Sequence, residues 1–197
     1  MKEEDSWMVF VTDLDGVLAN STPIIRTAIL ERYGYDIEEG YRNGWDIVIP
    51  GVPDHEIIET IRYALAAEWM SISPFPETLD SLQRIYRRIM SPFIILTARE
   101  ESISRETYHW LWQTFRKGPP FRQYHVDNPK KPEFLCWEFA NVYVDDRRET
   151  ANDVALMKIP SIKQVFLVDR PWNIGETSTG VQRVPSLKEV ADWIEEN

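Results

Sequence analysis

Two short groups of carboxylate side chains lie just beyond runs of three apolar residues. Asp13 and Asp15 stand two residues apart after the first run, and Asp145 and Asp146 follow another. Four carboxylates gathered at one point would repel one another, and a bound divalent cation relieves that repulsion. Carboxylate and carbonyl oxygens suit Mg²⁺, which also binds phosphate oxygens. The pattern therefore predicts a Mg²⁺ site built from Asp13, Asp15, Asp145 and Asp146.

A threonine and a lysine add groups that can hold phosphate. Thr97 closes the apolar run 93–96, and Lys130 and Lys131 precede Pro132. A hydroxyl and an ammonium can bind phosphate oxygens and neutralise developing charge. Beside Mg²⁺, an aspartate can attack phosphorus and form an aspartyl-phosphate. A second carboxylate two residues further on can protonate the leaving oxygen and then activate water. These residue types predict phosphoryl-transfer chemistry.

Apolar runs alternate with amphipathic segments along the chain. The runs are apolar throughout, which predicts strands covered on both faces of a parallel sheet, at 9–11, 93–96, 142–144 and 165–168. Helical spacing of apolar residues predicts helices over 76–89, 104–115, 132–139, 148–157 and 186–194. This alternation predicts an α/β fold, in which ligands bind beyond the carboxyl ends of the strands. The polar groups described above fall at those ends.

The segment 19–74 does not fit a simple alternation of strand and helix. About 80 residues separate Asp15 from Thr97, whereas a crossover helix with its loops needs only a dozen or more. Apolar residues at helical spacing follow Pro23 and Asp54 within it. We therefore expect a small helical cap over 19–74, inserted after the first strand into a core formed by 1–18 and 75–197.

The composition excludes several classes of protein. The 197-residue chain carries 32 acidic and 22 basic residues, a formal charge of -10, whereas coating nucleic acid requires Lys and Arg. No stretch approaches the roughly 18 apolar residues of a membrane span, and the N-terminus lacks a signal-peptide pattern. A single cysteine, Cys136, cannot form an internal disulfide. We expect a cytoplasmic protein without an extended nucleic-acid surface.

The order of these residues resembles the four motifs of the haloacid dehalogenase (HAD) superfamily of phosphotransferases. The motifs are Asp13-Leu14-Asp15-Gly16-Val17, Thr97 after an apolar strand, a lysine before Pro132, and Asp145-Asp146. The resemblance covers most of the chain. It implies a Rossmann-like core with a parallel sheet and a helical cap inserted after the first motif, in agreement with the segment 19–74.

The resemblance also implies roles for individual residues. Asp13 would be the nucleophile and Asp15 the general acid and base. Mg²⁺ would bind Asp13, the backbone carbonyl of Asp15, and Asp145 or Asp146. Thr97, Ala98 and the motif lysine would bind phosphate. Either Lys130 or Lys131 could be that lysine, and Lys131 is favoured because a Lys-Pro pair opening a helix is common in the family.

Finer details resemble the 5'(3')-deoxyribonucleotidase-like branch of the superfamily. These details are Gly16-Val17-Leu18-Ala19, Gly44-Trp45-Asp46, Pro74-Phe75-Pro76, Asp145-Asp146-Arg147 and Asp169-Arg170-Pro171-Trp172-Asn173. The branch implies a nucleoside or deoxynucleoside monophosphate as the substrate. Trp45 could stack on a nucleobase or pack the cap against the core. Arg99 could contact the phosphate or form a surface ion pair.

The leading prediction is a Mg²⁺-dependent phosphomonoester hydrolase that acts on a small phosphorylated substrate. A second possibility is a polynucleotide 3'-phosphatase, because some phosphatase domains of that kind also carry an Asp-Asp-Arg motif. The acidic charge and the cap argue against it. The chain could also be a different small-molecule HAD phosphatase or a non-catalytic binding protein. The intact Asp13 and Asp15 argue against a non-catalytic protein.

Overall fold

The computed structural model describes residues 8–40, 47–116 and 118–197. Its strands are β1 Phe10–Thr12, β2 Ala19–Asn20, β3 Ser73–Pro74, β4 Phe93–Thr97, β5 Phe121–His125, β6 Val142–Asp145, β7 Gln164–Val168 and β8 Val181–Val184. Within these described ranges, six of the strands form one sheet in the order β5-β4-β1-β6-β7-β8, and each neighbouring pair is parallel. The predicted α/β fold with a Rossmann-like parallel sheet is confirmed.

Helices connect the strands and cover both faces of the sheet. They are α1 Thr22–Tyr33, α2 Ile37–Gly40, α3 Asp54–Ala67, α4 Thr78–Ile89, α5 Ser104–Thr114, α6 Lys131–Trp137, α7 Arg148–Leu156 and α8 Leu187–Glu196. Short 3₁₀ turns lie at Trp69–Ser71, Glu101–Ile103 and Asn128–Lys130. None of the helices in the described ranges has the length and apolarity that crossing a membrane requires.

The core lies on both faces of the sheet because side chains alternate along each strand. Phe10 of β1 and Phe93 of β4 belong to one apolar cluster, with ring centroids 5.2 Å apart, together with residues of α4 and α8. Val11 and Ile94, the next residues on the same strands, belong to a second cluster with residues of α6 and α7. Burial on both faces explains why these strands are apolar throughout.

The edge strands β5 and β8 were not among the strands predicted from apolar runs. β5 reads Phe121-Arg-Gln-Tyr-His125 and β8 reads Val181-Gln-Arg-Val184, so both contain polar residues. Each pairs with a neighbour on one side only within the described sheet. An edge strand is covered less completely than a central one, so it carries more polar side chains. Such segments lack the continuous apolar signal of β1, β4, β6 and β7.

Two short strands, β2 and β3, flank the helices α1, α2 and α3. β2 and β3 pair antiparallel, with Ala19 opposite Pro74 and Asn20 opposite Ser73. Between them α1 packs against α3. The hydroxyl of Tyr33 lies 3.0 Å from that of Thr60 and donates to a backbone oxygen of α3. The division of the chain into a core and a cap at 19–74 stays a prediction.

Candidate active site

The predicted site residues meet at the carboxyl edge of the three central strands. In the large sheet, β1 lies between β4 and β6. After β1 the chain forms β4 and β5 on one side of it and then β6, β7 and β8 on the other side. Ligands of open α/β sheets bind in the crevice at such a switch point. Asp13 follows β1, Thr97 ends β4 and Asp145 ends β6. Residues more than 130 positions apart along the sequence are therefore neighbours here.

A tight turn after β1 places the first two carboxylates. The backbone N–H of Asp13 donates to Val144 O of β6 over 2.8 Å, which ties the turn to the neighbouring strand. The N–H groups of Leu18 and Ala19 both donate to Leu14 O over 2.9 Å and close the turn. Asp13 and Asp15 both line the cavity above it.

Lys131 is buried beneath the carboxylates. Its Nζ lies 3.1 Å from Asp13 Oδ1 and 3.4 Å from Asp145 Oδ2, and the side chain is fully buried. Burial alone would lower the pKa of Lys131, but Asp13 and Asp145 outweigh it and raise the pKa. Lys130 instead is exposed and pairs with Asp127 over 2.9 Å. Of the two candidate lysines, the structure therefore brings Lys131 to the site.

The carboxylates carry more negative charge than Lys131 neutralises. Burial raises the pKa of Asp13 to about 7, with Lys131 opposing the rise and the charges of Asp145 and Asp15 adding to it. Asp13, Asp145 and Asp146 each offer an oxygen, and these oxygens lie within 4.8 Å of one another. Three oxygen donors that repel one another fit a divalent cation such as Mg²⁺. The Asp15 carboxylate is not part of this group.

Asp15 is held instead by Arg99. Arg99 Nε donates to Asp15 Oδ2 and Nη2 to Oδ1, each over 2.7 Å, and Nη1 donates to Thr107 Oγ1 over 3.3 Å. Burial would raise the pKa of Asp15, but the charge and hydrogen bonds of Arg99 outweigh it, and the pKa is lowered. The sequence left open a phosphate contact or a surface ion pair for Arg99, and the structure shows a buried ion pair with Asp15.

The phosphate-binding residues expected from the second motif also line the cavity. Thr97 is buried and Ala98 is exposed. Thr97 Oγ1 accepts a hydrogen bond from the backbone N–H of Arg99 over 3.2 Å. The backbone after β4 therefore turns directly at the cavity.

Two buried aromatic side chains hold Asp145, which ends β6, and Asp146, which follows it. The Tyr143 hydroxyl donates to Asp145 Oδ2, and burial together with the charge of Asp145 raises the pKa of Tyr143 well above its usual value. The Trp172 indole Nε1 donates to Asp146 Oδ2 over 2.7 Å. From the sequence, Trp172 was named as part of the segment 169–173, and Tyr143 was not selected. Tyr143 lies two residues before Asp145, so the two side chains share one face of the strand, and this spacing was the signal in the sequence that could have identified Tyr143.

The cavity over the carboxylates measures about 160 Å³. Its polar lining includes Asn128 and Arg147, which sequence reasoning did not select. Its apolar lining comes from the inserted helices, with Ile25 on α1 and Ile61 and Leu65 on α3. The segment between β2 and β3 therefore contributes to the enclosure of the site.

Trp45, the predicted base-stacking residue, lies outside the described residues, as does the rest of Gly44-Trp45-Asp46. Stacking on a base and packing against the core both stay predictions for Trp45.

Sequence comparison finds no matching family model and no matching curated protein. Structure comparison finds CbbY from Rhodobacter sphaeroides in complex with phosphate, with a TM-score of 0.61 and 15% identity, over 92% of this chain and 95% of that one. A candidate phosphoglycolate phosphatase from Lactobacillus plantarum has a TM-score of 0.62 and 10% identity, over 94% and 98%. A hydrolase from Pseudomonas syringae has a TM-score of 0.62 and 12% identity, over 96% and 98%.

A candidate haloacid dehalogenase-like hydrolase from Burkholderia xenovorans is also similar, with a TM-score of 0.60, 14% identity and coverage of 94% and 98%. At these identities the similarity concerns the fold. This chain has the Rossmann-like α/β fold of the haloacid dehalogenase-like hydrolases.

Proposed function

We propose that the protein is a Mg²⁺-dependent phosphomonoester hydrolase that forms an aspartyl-phosphate on Asp13. One observation carries this proposal: Asp13 and Asp15 line one cavity, Lys131 contacts Asp13, and Asp13 shares a candidate cation site with the carboxylates after β6. The similar structures support it, because they include hydrolases and a protein with bound phosphate.

In the first step a carboxylate oxygen of Asp13 attacks phosphorus. The bond from phosphorus to the ester oxygen breaks, and the electron pair leaves with that oxygen, which takes a proton from Asp15. In the second step the Asp15 carboxylate takes a proton from water, and the resulting hydroxide attacks phosphorus. The bond from phosphorus to Asp13 breaks, which releases inorganic phosphate and restores the Asp13 carboxylate.

The contacts of each side chain suit these roles. Lys131 sits against Asp13 and Asp145, where its charge offsets their mutual repulsion and orients the nucleophile. Arg99 holds Asp15 as a carboxylate, which is the form that activates water. Proton donation to the leaving group therefore requires Asp15 to leave this ion pair and first take up a proton, either from solvent or from a singly protonated phosphate group of the substrate. Thr97 and the backbone after it border the cavity where phosphate would bind.

Asp13, Asp145 and Asp146 would hold Mg²⁺ through one oxygen each, together with the backbone carbonyl of Asp15. When bound, Mg²⁺ supplies positive charge that stabilises the phosphoryl oxygens in the transition state. Without it, the excess negative charge at Asp13 would repel a phosphate dianion.

The proposed substrate class is a small phosphorylated molecule, and specifically a nucleoside or deoxynucleoside monophosphate. The nucleotide assignment is supported by the sequence resemblance to the 5'(3')-deoxyribonucleotidase-like branch. The core residues would contact only groups that every phosphomonoester shares, so discrimination would fall to residues of the inserted helices that line the cavity, such as Ile25, Ile61 and Leu65. The cytoplasmic location predicted from the sequence stays a prediction.

A phosphate-release assay tests the proposal. The panel contains deoxynucleoside monophosphates, small aliphatic phosphates and an oligonucleotide with a 3'-phosphate, each with Mg²⁺ and with excess chelator. We expect Mg²⁺-dependent release from nucleoside monophosphates. Release from the oligonucleotide alone would support the polynucleotide 3'-phosphatase. Release from aliphatic phosphates alone would keep the mechanism and change the substrate, and absence of release from all of them would contradict the enzymatic function.

A further inference from the structure

We propose that Trp172 and Asn173 are positioning residues that hold Asp146 in place to bind a divalent cation. The inference rests on the proposed Mg²⁺ site and extends it to the loop between β7 and β8. Neither residue is one of the three candidate cation ligands, which are Asp13, Asp145 and Asp146. Both act on Asp146, one through its side chain and one through its backbone.

The indole of Trp172 contacts the Asp146 carboxylate directly. Nε1 donates to Asp146 Oδ2 over 2.7 Å, and the tryptophan is only 7% exposed. An indole offers one donor and no acceptor, so it holds the carboxylate by donating to a single oxygen, Oδ2. The ring is also buried and rigid, so it fixes the direction of the hydrogen bond.

The backbone of Gly16 also lies close against the carboxylate. A methyl group added at Gly16 would come within 1.9 Å of Asp146 Oδ2. The carboxylate therefore lies against the turn that carries Asp13 and Asp15. Arg170 Nε donates to Gly16 O over 2.6 Å, so the same loop that supplies Trp172 also holds this turn. Asp146 therefore contacts both the loop and the turn, and Arg170 links these two segments to each other.

Asn173 anchors the loop to the strands on which the site is built. Its Nδ2 donates to Asp146 O over 2.8 Å and to Val168 O, at the end of β7, over 2.7 Å. Its Oδ1 accepts from Arg170 N over 3.1 Å and from Arg183 Nη2 over 2.9 Å. The asparagine is 2% exposed. Its amide therefore joins the carboxyl ends of β6 and β7 and fixes the backbone of Asp146.

Groups that orient metal ligands set affinity as well as geometry, and their removal costs about 10–100-fold in metal affinity. Asp146 is one of three carboxylates whose oxygens must converge on the cation. A carboxylate that rotates freely must be ordered on binding, and that ordering lowers affinity. Trp172 and Asn173 order Asp146 before the cation binds, so binding requires less additional ordering of the carboxylate.

The test measures Mg²⁺ binding to metal-free protein by titration calorimetry, in the absence of substrate. Trp172→Phe keeps a buried ring and removes the donor. The matched control is Trp110→Phe, because Trp110 is 2% exposed and donates its Nε1 to Ile72 O, a backbone carbonyl, over 2.8 Å. Both changes remove one buried indole hydrogen bond. We expect Mg²⁺ to bind Trp172→Phe about 10–100-fold more weakly and Trp110→Phe with wild-type affinity.

Asn173→Ala is measured in the same way and is expected to weaken Mg²⁺ binding. If Trp172→Phe does not fold, wild-type Mg²⁺ affinity in Asn173→Ala would overturn the inference. Wild-type affinity in folded Trp172→Phe would overturn the inference, and so would an equal loss in Trp110→Phe. A wild-type protein that binds no Mg²⁺ would overturn the proposed cation site and this inference together. Mg²⁺ binding without phosphate release would refute the proposed function alone.

Discussion

Arg99 and Asp15 form a bidentate ion pair between the loops that follow β4 and β1, and both nitrogen-to-oxygen distances are 2.7 Å. The Arg99 side chain is 2% exposed and that of Asp15 16%. The pair therefore connects the loops after two neighbouring strands at the wall of the cavity and is largely buried. Asp15 is both a candidate catalytic group and one half of a structural contact.

Replacement of Arg99 by methionine should destabilise the protein by about 3–5 kcal/mol at pH 7, because it leaves a buried carboxylate without its partner. Arg99 lowers the pKa of Asp15, so the pair stabilises the fold above the usual Asp pKa of about 3.9, and this contribution disappears as pH falls through the lower folded pKa. Urea unfolding at pH 7 and at pH 3 measures the difference.

Arg62→Met is the control for that change, because Arg62 forms only exposed ion pairs with Glu59 and Glu100 among the described residues. Its loss should cost no more than about 1 kcal/mol. Equal destabilisation by the two substitutions would show that the pair between Arg99 and Asp15 does not stabilise the fold.

Asp13→Asn should lower turnover by at least about 10³-fold, because the amide keeps the size of the side chain but cannot attack phosphorus. The measurement is kcat on the best substrate of the panel at saturating Mg²⁺. Asp127→Asn serves as the control, since Asp127 lies on the surface and pairs with Lys130. Turnover near the wild-type value in Asp13→Asn would refute the aspartyl-phosphate mechanism.

The stability of the metal-free protein should fall as pH rises from about 4 to 7. Burial raises the pKa of Asp13 to about 7, so between the usual Asp pKa of about 3.9 and that value the folded state binds more protons than the unfolded state. Stability falls with pH wherever this holds. Thermal unfolding in excess chelator at pH 5, 6, 7 and 8 measures the effect, and Asp13→Asn should reduce the slope.

Mg²⁺ should reverse this trend, because a proton and the cation compete for Asp13. The rise in Tm on adding Mg²⁺ should therefore be larger at pH 8 than at pH 6. A rise that is the same at both pH values would indicate that Asp13 does not bind the cation.

The central strands could be predicted from the sequence because burial on both faces leaves an apolar run. The edge strands β5 and β8 could not, because their alternating polar residues, such as Arg122 and Arg183, resemble those of a loop. Asp13, Asp15, Asp145 and Asp146 were selected because they lie just beyond such runs. Their assignment to catalysis and to the cation stays a prediction.

The contacts of these carboxylates could not be derived from the sequence. The hydrogen bond from Trp172 to Asp146 and the ion pair of Arg99 with Asp15 join residues in loops that follow different strands, and their existence depends on strand order and register. A spacing pattern along the chain does not specify either. The Lys-Pro pair favoured Lys131 over Lys130 in the sequence, but the burial of Lys131 against Asp13 and Asp145 is seen only in the structure.

Gly16→Ala should abolish Mg²⁺ binding and activity. The added methyl group would lie 1.9 Å from Asp146 Oδ2, so the carboxylate would have to move. The backbone there also has φ +79°, which disfavours any residue with a side chain. Gly34→Ala separates these two effects, because Gly34 has φ +64° and open space around the added atom. It should cost about 1–2 kcal/mol of stability and leave kcat/KM unchanged.

Ile61→Phe should select against large substrates, because Ile61 lines a cavity of about 160 Å³ and a phenyl ring would fill part of it. We expect kcat/KM to fall more for a deoxynucleoside monophosphate than for a small aliphatic phosphate, since only the larger leaving group needs that space. Ile58→Phe is the matched control on the same helix, because Ile58 is 53% exposed and does not line the cavity. It should leave both values unchanged. An equal fall for both substrates in Ile61→Phe would show that α3 does not determine which leaving group the site accepts.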